Sequence, residues 1–368
     1  MAYSVIEIKN FRGIKHLTIN GLGDVNIFTG RNNTGKSSCL EAIALLASGS
    51  SNFKNIFKEE MLEFIVMRRT KKELAWDYLI NHGAEKASIS GFYNVKNKSS
   101  DNILIGKSLE DLQLSPHEVL VESLREQFRE TYSREREMRY RRVGIEKGPK
   151  TSNSLYFYYT NAIECLARIF QTDEEVKVLT STIRKQQPKV EKKEVLFIGN
   201  FEQIGGELHD IIAEKGLIHG VIERLHEKFP DITDIRTIRK ILYIFYGKEK
   251  MPLDIMGDGF KVNMLITLSG HAISNGILIL EEPENFLHPG LMIHLVQELT
   301  IACKKQNIQI FLSTHSDEFI KFFIQSAKGI NISIIKLTKN NNEVEAEVFD
   351  KAESTELLED VGIDLRGF

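Results

Sequence analysis

The chain has 368 residues, 42% of them hydrophobic, with 48 basic against 51 acidic residues and a formal net charge of -3. That length supports one large core or two modest ones without disulfides or metals, and the near-neutral balance excludes a chain that is basic throughout, though not a local basic patch. The three cysteines, Cys39, Cys165 and Cys303, form no CxxC pair, which argues against a disulfide framework or a zinc knuckle and fits a reducing cytosol. The first residues alternate charge with apolar side chains and lack the apolar core of a signal peptide. No stretch approaches about 18 uninterrupted apolar residues, so a cytoplasmic chain with no membrane contact is expected.

Residues 4–28 read as two or three short strands, because Val5, Ile6 and Ile8, then Leu17 and Ile19, then Val25, Ile27 and Phe28 are separated by turn residues. Residues 37–47 then read as a helix, with Leu40, Ile43, Ala44 and Ala47 at helical spacing before Gly49. A second helix is expected over 53–69 and a hairpin over 86–105. Ser115, Pro116 and Glu118 form a helix start, and Leu120, Leu124, Phe128 and Tyr132 repeat every four residues below it. The stretch that follows holds Arg134, Arg136, Arg139, Arg141, Arg142, Lys147 and Lys150, which is either a solvated arm with ion pairs or a phosphate-contacting patch. Helices are expected over 156–170 and 174–185, and a polar linker over 186–193. From 195 onward strands at 195–198, 241–246, 276–280, 308–313, 330–337 and 343–349 alternate with helices at 208–213, 220–228, after Gly259, at 289–304 and through Phe323. Such alternation implies a largely parallel sheet with helices on its faces.

Gly30 to Ser37, GRNNTGKS, satisfies the G-x-x-x-x-G-K-[ST] pattern between a predicted strand and a predicted helix. Gly30 and Gly35 let the backbone turn its N–H groups onto phosphate oxygens, Lys36 reaches the terminal phosphates and the Ser37 hydroxyl suits magnesium. Arg31, Asn32, Asn33, Thr34 and Ser38 complete the predicted nucleotide-binding stretch. In GILILEEPENFLHP four apolar residues end in two acids, the pattern of a buried central strand whose C-terminal end meets a ligand. By position Glu281 holds the metal and Glu282 polarises the attacking water. A third strand, IQIFLSTHS, delivers Thr314 and His315, the latter as a phosphate sensor or as a structural histidine.

Together with the opening IEIKNFRGIKHLTI, these motifs resemble the AAA-annotated ATPases of the ABC superfamily that include the RecF, SMC and OLD groups, most closely the OLD-like head. The likeness covers about the first 50 and the last 170 residues, by motif order and spacing. It implies an α/β ABC-ATPase head with a P-loop mixed sheet flanked by helices, a β-rich N-terminal subdomain and a helical insertion. The implied divisions are 1–105 and 194–368 for the two parts of the head and 106–193 for the insertion. It further implies a signature loop that touches the opposite subunit's nucleotide, here Met256, Gly257, Asp258 and Gly259, in place of the Leu-Ser-Gly-Gly-Gln of transporters. Arg12 matches a basic residue near the nucleotide, although a surface arginine on a turn is an alternative, and His288 stands where relatives carry the D-loop aspartate. The insert is too short for SMC arms. The tail is too short for a Toprim nuclease, so a nuclease or toxin effector would be encoded separately. The resemblance therefore implies Mg2+-ATP hydrolysis, a homodimer closing on two nucleotides and possible DNA contact, in phage defence or, alternatively, in RecF-like repair.

Overall fold

The computed structural model describes residues 2–67, 78–93, 100–108, 110–112, 154–161, 163–171, 176–185, 192–199, 204–285, 287–341 and 343–357. The expected helix at 115–132, the basic stretch 134–150 and the final residues 358–368 lie outside them.

Four strands whose residues are buried at nearly every position form the centre: β3 (Val25–Thr29), β9 (Val195–Ile198), β13 (Ile277–Glu281) and β14 (Gln309–Ser313). Such continuous apolar runs belong in a parallel sheet covered on both faces. With β15 (Ile332–Asn340) and β16 (Glu343–Phe349) they make a six-stranded sheet in the order β16-β15-β3-β14-β13-β9, parallel except for the β15–β16 hairpin. Alternate residues face opposite layers. Phe28, Ile277, Ile279 and Phe311 join one core, whereas Val25, Ile27, Leu278, Leu280, Ile310 and Leu312 join the other.

The first core is closed by helix α1 (Lys36–Ser48) and a seven-stranded antiparallel sheet. That sheet runs β2-β1-β4-β5-β6-β7-β8, from β1 (Val5–Phe11), β2 (Ile14–Asn20), β4 (Lys86–Phe92), β5 (Ser100–Gly106), β6 (Ser154–Thr160), β7 (Ile163–Gln171) and β8 (Val176–Lys185). Of the residues of α1 only Ser37 is not buried, because the helix lies between the two sheets and touches β9, β13 and β14 on one side and β1, β4 and β5 on the other. A short helix α2 (Met61–Met67) follows. Over the second core lie α3 (Gly205–Glu214), α4 (Ile218–Lys228), α5 (Asp258–Ala272), α6 (Pro289–Gln306) and α7 (Asp317–Ser326), with a small meander of β10 (Asp234–Ile238), β11 (Ile241–Tyr246) and β12 (Glu249–Pro252) packed on α3. A last helix, α8 (Lys351–Thr355), is capped by Asp350 and Glu353 in a capping box.

The described residues of the expected helices over 156–170 and 174–185 lie in strands β6, β7 and β8. In β6 Leu155, Phe157 and Tyr159 point inward at every second position, and pairing with β5 and β7 completes the ladder. Aromatic and β-branched residues fit that pleated surface better than a helix. The described residues of the expected helical insertion thus extend the β-rich layer. Among the described residues of 53–69, helix is confined to α2, because Asn55 Oδ1 accepts from the N–H groups of Phe57 and Glu59 and holds a turn before it.

A buried polar cluster fastens the seven-stranded sheet to the central one. Lys193, just before β9, donates to Asp101 Oδ2 at 2.6 Å and to the Tyr3 hydroxyl at 2.8 Å, with its ammonium over the Tyr3 and Tyr93 rings. Asp101 also accepts from the hydroxyls of Tyr3 at 2.5 Å and Tyr159 at 2.7 Å. Burial pulls the Lys193 ammonium down to about 8 against the opposing pull of Asp101. Burial raises the Asp101 carboxyl, but Lys193 and the donated hydrogen bonds outweigh it and leave the pKa below the ordinary carboxylate value. Removing one partner strands a buried charge. Asp101→Ala is therefore expected to destabilise the fold by about 3–5 kcal/mol in urea unfolding; a loss within about 0.5 kcal/mol would show that the cluster carries no load.

Candidate functional site

The strand order sets β3, β14 and β13 side by side and parallel, so the loops at their C-terminal ends open on one edge, where ligands of α/β sheets bind. Residues 30–35 follow β3. Gly30 has φ 133°, and a Cβ there would stand 2.3 Å from the Leu337 carbonyl oxygen; Gly35 has φ 102° and forms the N-cap of α1 without any side-chain cap. Only glycine fits the first position, and the second leaves the helix N–H groups open to an anion. Lys36 is buried, its Nζ donating to the carbonyl oxygens of Gly30 at 2.8 Å and Arg31 at 2.9 Å. Burial lowers its pKa, while the charge of Glu282 acts in the opposite sense. The Thr34 hydroxyl donates to the Arg31 carbonyl at 2.9 Å and braces the loop.

At the end of β13, Glu281 pairs in register with Ser313 of β14. Glu282 turns sharply, with φ 46°, and its N–H donates to the Ser313 carbonyl at 2.9 Å. Its Oε2 accepts from the Asn285 amide at 3.0 Å, and its Oε1 lies 3.4 Å from His315 Nε2. The neighbouring loop is anchored in turn: Thr314 N–H donates to the Phe28 carbonyl at 3.0 Å, tying it to the strand before the phosphate loop. Glu284, two residues past Glu282, is buried, and its Oε1 accepts from the Thr314 hydroxyl at 2.5 Å and from the His315 N–H at 3.2 Å.

Of the residues expected from sequence, the stretch from Gly30 to Ser38, Glu281, Glu282 and His315 share this edge. Ser37 and Glu281 supply oxygen donors there. Among the described residues no three carboxylate, imidazole or thiolate groups form a protein cage, so a Mg2+ held by these two residues would take its other ligands from phosphate and water. Arg12, with φ 51°, pairs with the fully buried Glu41 and donates to the Ile65 carbonyl at 3.3 Å. It also borders a cleft of ≈ 390 Å³ with Asn33, Gly35, Ser38, Asn81 and Lys339. The segment 78–82 shapes that cleft, since Arg12 N–H donates to the Leu79 carbonyl at 2.8 Å and the Asn81 amide to the Arg12 carbonyl at 2.7 Å. Met256, Gly257, Asp258 and Gly259 lie at the start of α5 with local bonds, among them Asp258–Lys261 at 2.7 Å. His288 caps α6, its Nδ1 accepting from Gly290 N–H at 3.3 Å.

Three residues of this region escaped the sequence reading: Glu284, Glu41 and Asn81. Glu41 carried a signal, being a lone acid in the otherwise apolar stretch from Cys39 to Ala47, which demands a cation within reach. Asn81 carried none, because its partner is 69 residues earlier in the chain.

A family model described as "AAA domain, putative AbiEii toxin, Type IV TA system" matches residues 25–321, a span holding the phosphate loop, the acidic strand and His315. The chain belongs to this AAA-domain family. It is thereby a P-loop ATPase of the ABC superfamily. This AAA-domain protein is 25% identical over 349 residues to a protein of Helicobacter pylori named ATP/GTP phosphatase, covering 87% of both chains. A RecF protein of Pseudoalteromonas translucida is 37% identical over 73 residues, 19% of this chain and 20% of that one. Among solved structures, an Smc head bound to the C-terminal winged-helix domain of ScpA covers 95% of this chain and 98% of its own, with a TM-score of 0.50 and 11% identity, a likeness of fold. Among the described residues no helix is long and apolar enough to cross a membrane.

Lys36→Ala removes the one ammonium held inside the loop. Nucleotide binding measured by titration calorimetry is expected to weaken about 10- to 100-fold, the loss of a charge-assisted hydrogen bond. An unchanged Kd would place the phosphates elsewhere.

Proposed function

We propose that this ATPase works as a switch, a homodimer that closes head to tail around two Mg2+-ATP and opens on hydrolysis. The observation that carries it is the convergence of Lys36, Glu282 and His315 at one sheet edge, with the Glu282 carboxylate 3.4 Å from the His315 ring. In this reading the backbone from Gly30 to Ser38 cradles the phosphates, and Ser37 and Glu281 hold the metal, whose charge offsets that of the phosphates. Glu282 polarises the attacking water, and His315 contacts the γ-phosphate. The cleft beside Arg12, Asn33 and the exposed Tyr78 takes ribose and base.

Completion in trans is supported by the signature stretch. Its bonds are local, its glycines end in a helix N-terminus, and the residue before Met256 is Ile255, an apolar side chain 69% exposed. In a dimer that stretch would lie over the partner's nucleotide, with His288 in the D-loop position. We further propose that the head has two parts, 1–105 and 194–368, that 106–193 is an insertion whose described strands β6 to β8 continue the N-terminal sheet, that the protein is cytoplasmic, and that an OLD-like role alongside a separately encoded nuclease or toxin effector is its biological setting. The family description, which names a toxin–antitoxin system, supports that setting. The RecF relative supports a second reading, a repair ATPase that binds DNA itself.

Mass in solution with and without Mg2+-ATP tests the switch, which both readings share. Glu282→Gln is expected to keep nucleotide binding, lose hydrolysis by about 100-fold or more, and accumulate as a dimer only with ATP. A mass that ignores nucleotide in both wild type and variant would refute the switch. With the dimer in hand, salt-sensitive, ATP-dependent DNA binding by the isolated protein would favour the repair reading over the effector reading.

A further inference from the structure

Of the acids at the end of β13 and in the turn that follows, Glu281, Glu282 and Glu284, only Glu284 is buried, at 7% exposure. Its Oε1 accepts two hydrogen bonds from the β14–α7 loop, while its Oε2, also buried, has no hydrogen-bond partner among the described residues. Burial raises its pKa against the hydrogen bonds that lower it. A buried, half-satisfied carboxyl costs free energy that an apolar residue or a small hydroxyl would avoid. What the chain obtains for that cost is a clamp between two loops. One end of the clamp is the turn that carries Glu282, and the other is the backbone N–H of His315 itself. Thr314 Oγ1 extends the clamp by accepting the Ser316 N–H at 3.0 Å, so both residues flanking His315 are fixed.

We propose that Glu284 is a positioning residue for ATP hydrolysis: it locks the His315 loop onto the Glu282 turn and so holds imidazole and carboxylate in register across β13 and β14. The assignment rests on the reading of Glu282 and His315 given above. Glu284 acts through His315. Misplacement of a catalytic group by about 1 Å costs up to about 100-fold in rate, which sets the scale of the effect.

The test uses steady-state ATP hydrolysis by the full chain carrying Glu284→Ala, Glu284→Gln, Glu284→Asp, His315→Ala, or Glu284→Ala with His315→Ala, with nucleotide Kd and thermal melting measured on each. Glu284→Ala is expected to lower kcat about 10- to 100-fold at nearly constant KM and Kd. Glu284→Gln keeps the oxygen that accepts from Thr314 and His315 and restores most of the rate, whereas Glu284→Asp keeps the charge but is one methylene too short and does not. If the alanine variant fails to fold, the contrast between glutamine and aspartate carries the test alone. In the His315→Ala background, Glu284→Ala should cost less than about twofold more, because two residues acting as one unit are not additive. Full activity of Glu284→Asp, or effects of Glu284→Ala and His315→Ala that multiply, would overturn the inference. A His315→Ala enzyme with wild-type kcat would instead remove His315 from the reaction and the clamp's purpose with it, a result distinct from a silent Glu284.

Discussion

Backbone pairing among β3, β14 and β13 is the constraint on which the rest of the site depends. Each strand contributes one loop to the same edge, and parallel register decides which residues stand level. Ser313 pairs with Phe28 on one side and Glu281 on the other, so the end of the phosphate-loop strand, the His315 loop and the acidic turn start from one line across the sheet. A slip in register would turn each strand's apolar residues toward the wrong core, which makes the alignment expensive to lose. The same pairing explains why α1 is buried almost all round: a helix leaving the central strand of a sheet that is covered by a second sheet has no solvent face to offer.

The cationic end of the site is organised by the loop's own backbone. Lys36 satisfies itself on the carbonyls of Gly30 and Arg31, which keeps a partly desolvated ammonium inside the loop instead of exposed to water. In the proposed nucleotide-binding reading, an arriving phosphate would exchange hydrogen bonds with the loop and meet an ammonium that the fold already holds in place. The acids opposite are graded by environment. Glu282 is partly exposed and faces His315, whereas Glu284, two residues on, is enclosed and holds loops together. Two carboxylates of one short turn thus serve different ends because one lies at the surface and the other beneath it.

Much of this was legible from residue order. The phosphate loop needed its glycines and Lys36, the acidic strand announced itself by four apolar residues ending in Glu281 and Glu282, and the strand–helix alternation after 195 matched the periodicity. Strands β6 to β8 were not legible, because YFYYTNAIECLARIF is apolar on both faces and fits either period until β5 supplies a partner. The meander strands β10 and β12 are short and polar at the edges, with little pattern of their own. Glu284 looked like one more acid in a polar turn; what distinguishes it is a hydroxyl thirty residues later, a contact only the closed sheet creates. Likewise the role of Lys193 depends on tyrosines and an aspartate from remote strands.

The position of β3 in the middle of its sheet also orders events in time. Its neighbours are β14 and β15, and Asn26 bonds to the Ile310 carbonyl across 284 residues of chain. During synthesis the segment carrying the phosphate loop emerges well before its partners and waits, with both edges of its strand unpaired, until the 284 residues that separate Asn26 from Ile310 have been made. Loops this long make non-local pairing slow and leave apolar strands exposed in the meantime. The phosphate loop thus acquires its shape only after β14 has been made, and a truncated chain ending before β14 would present β3 as an open, aggregation-prone edge instead of a nucleotide site.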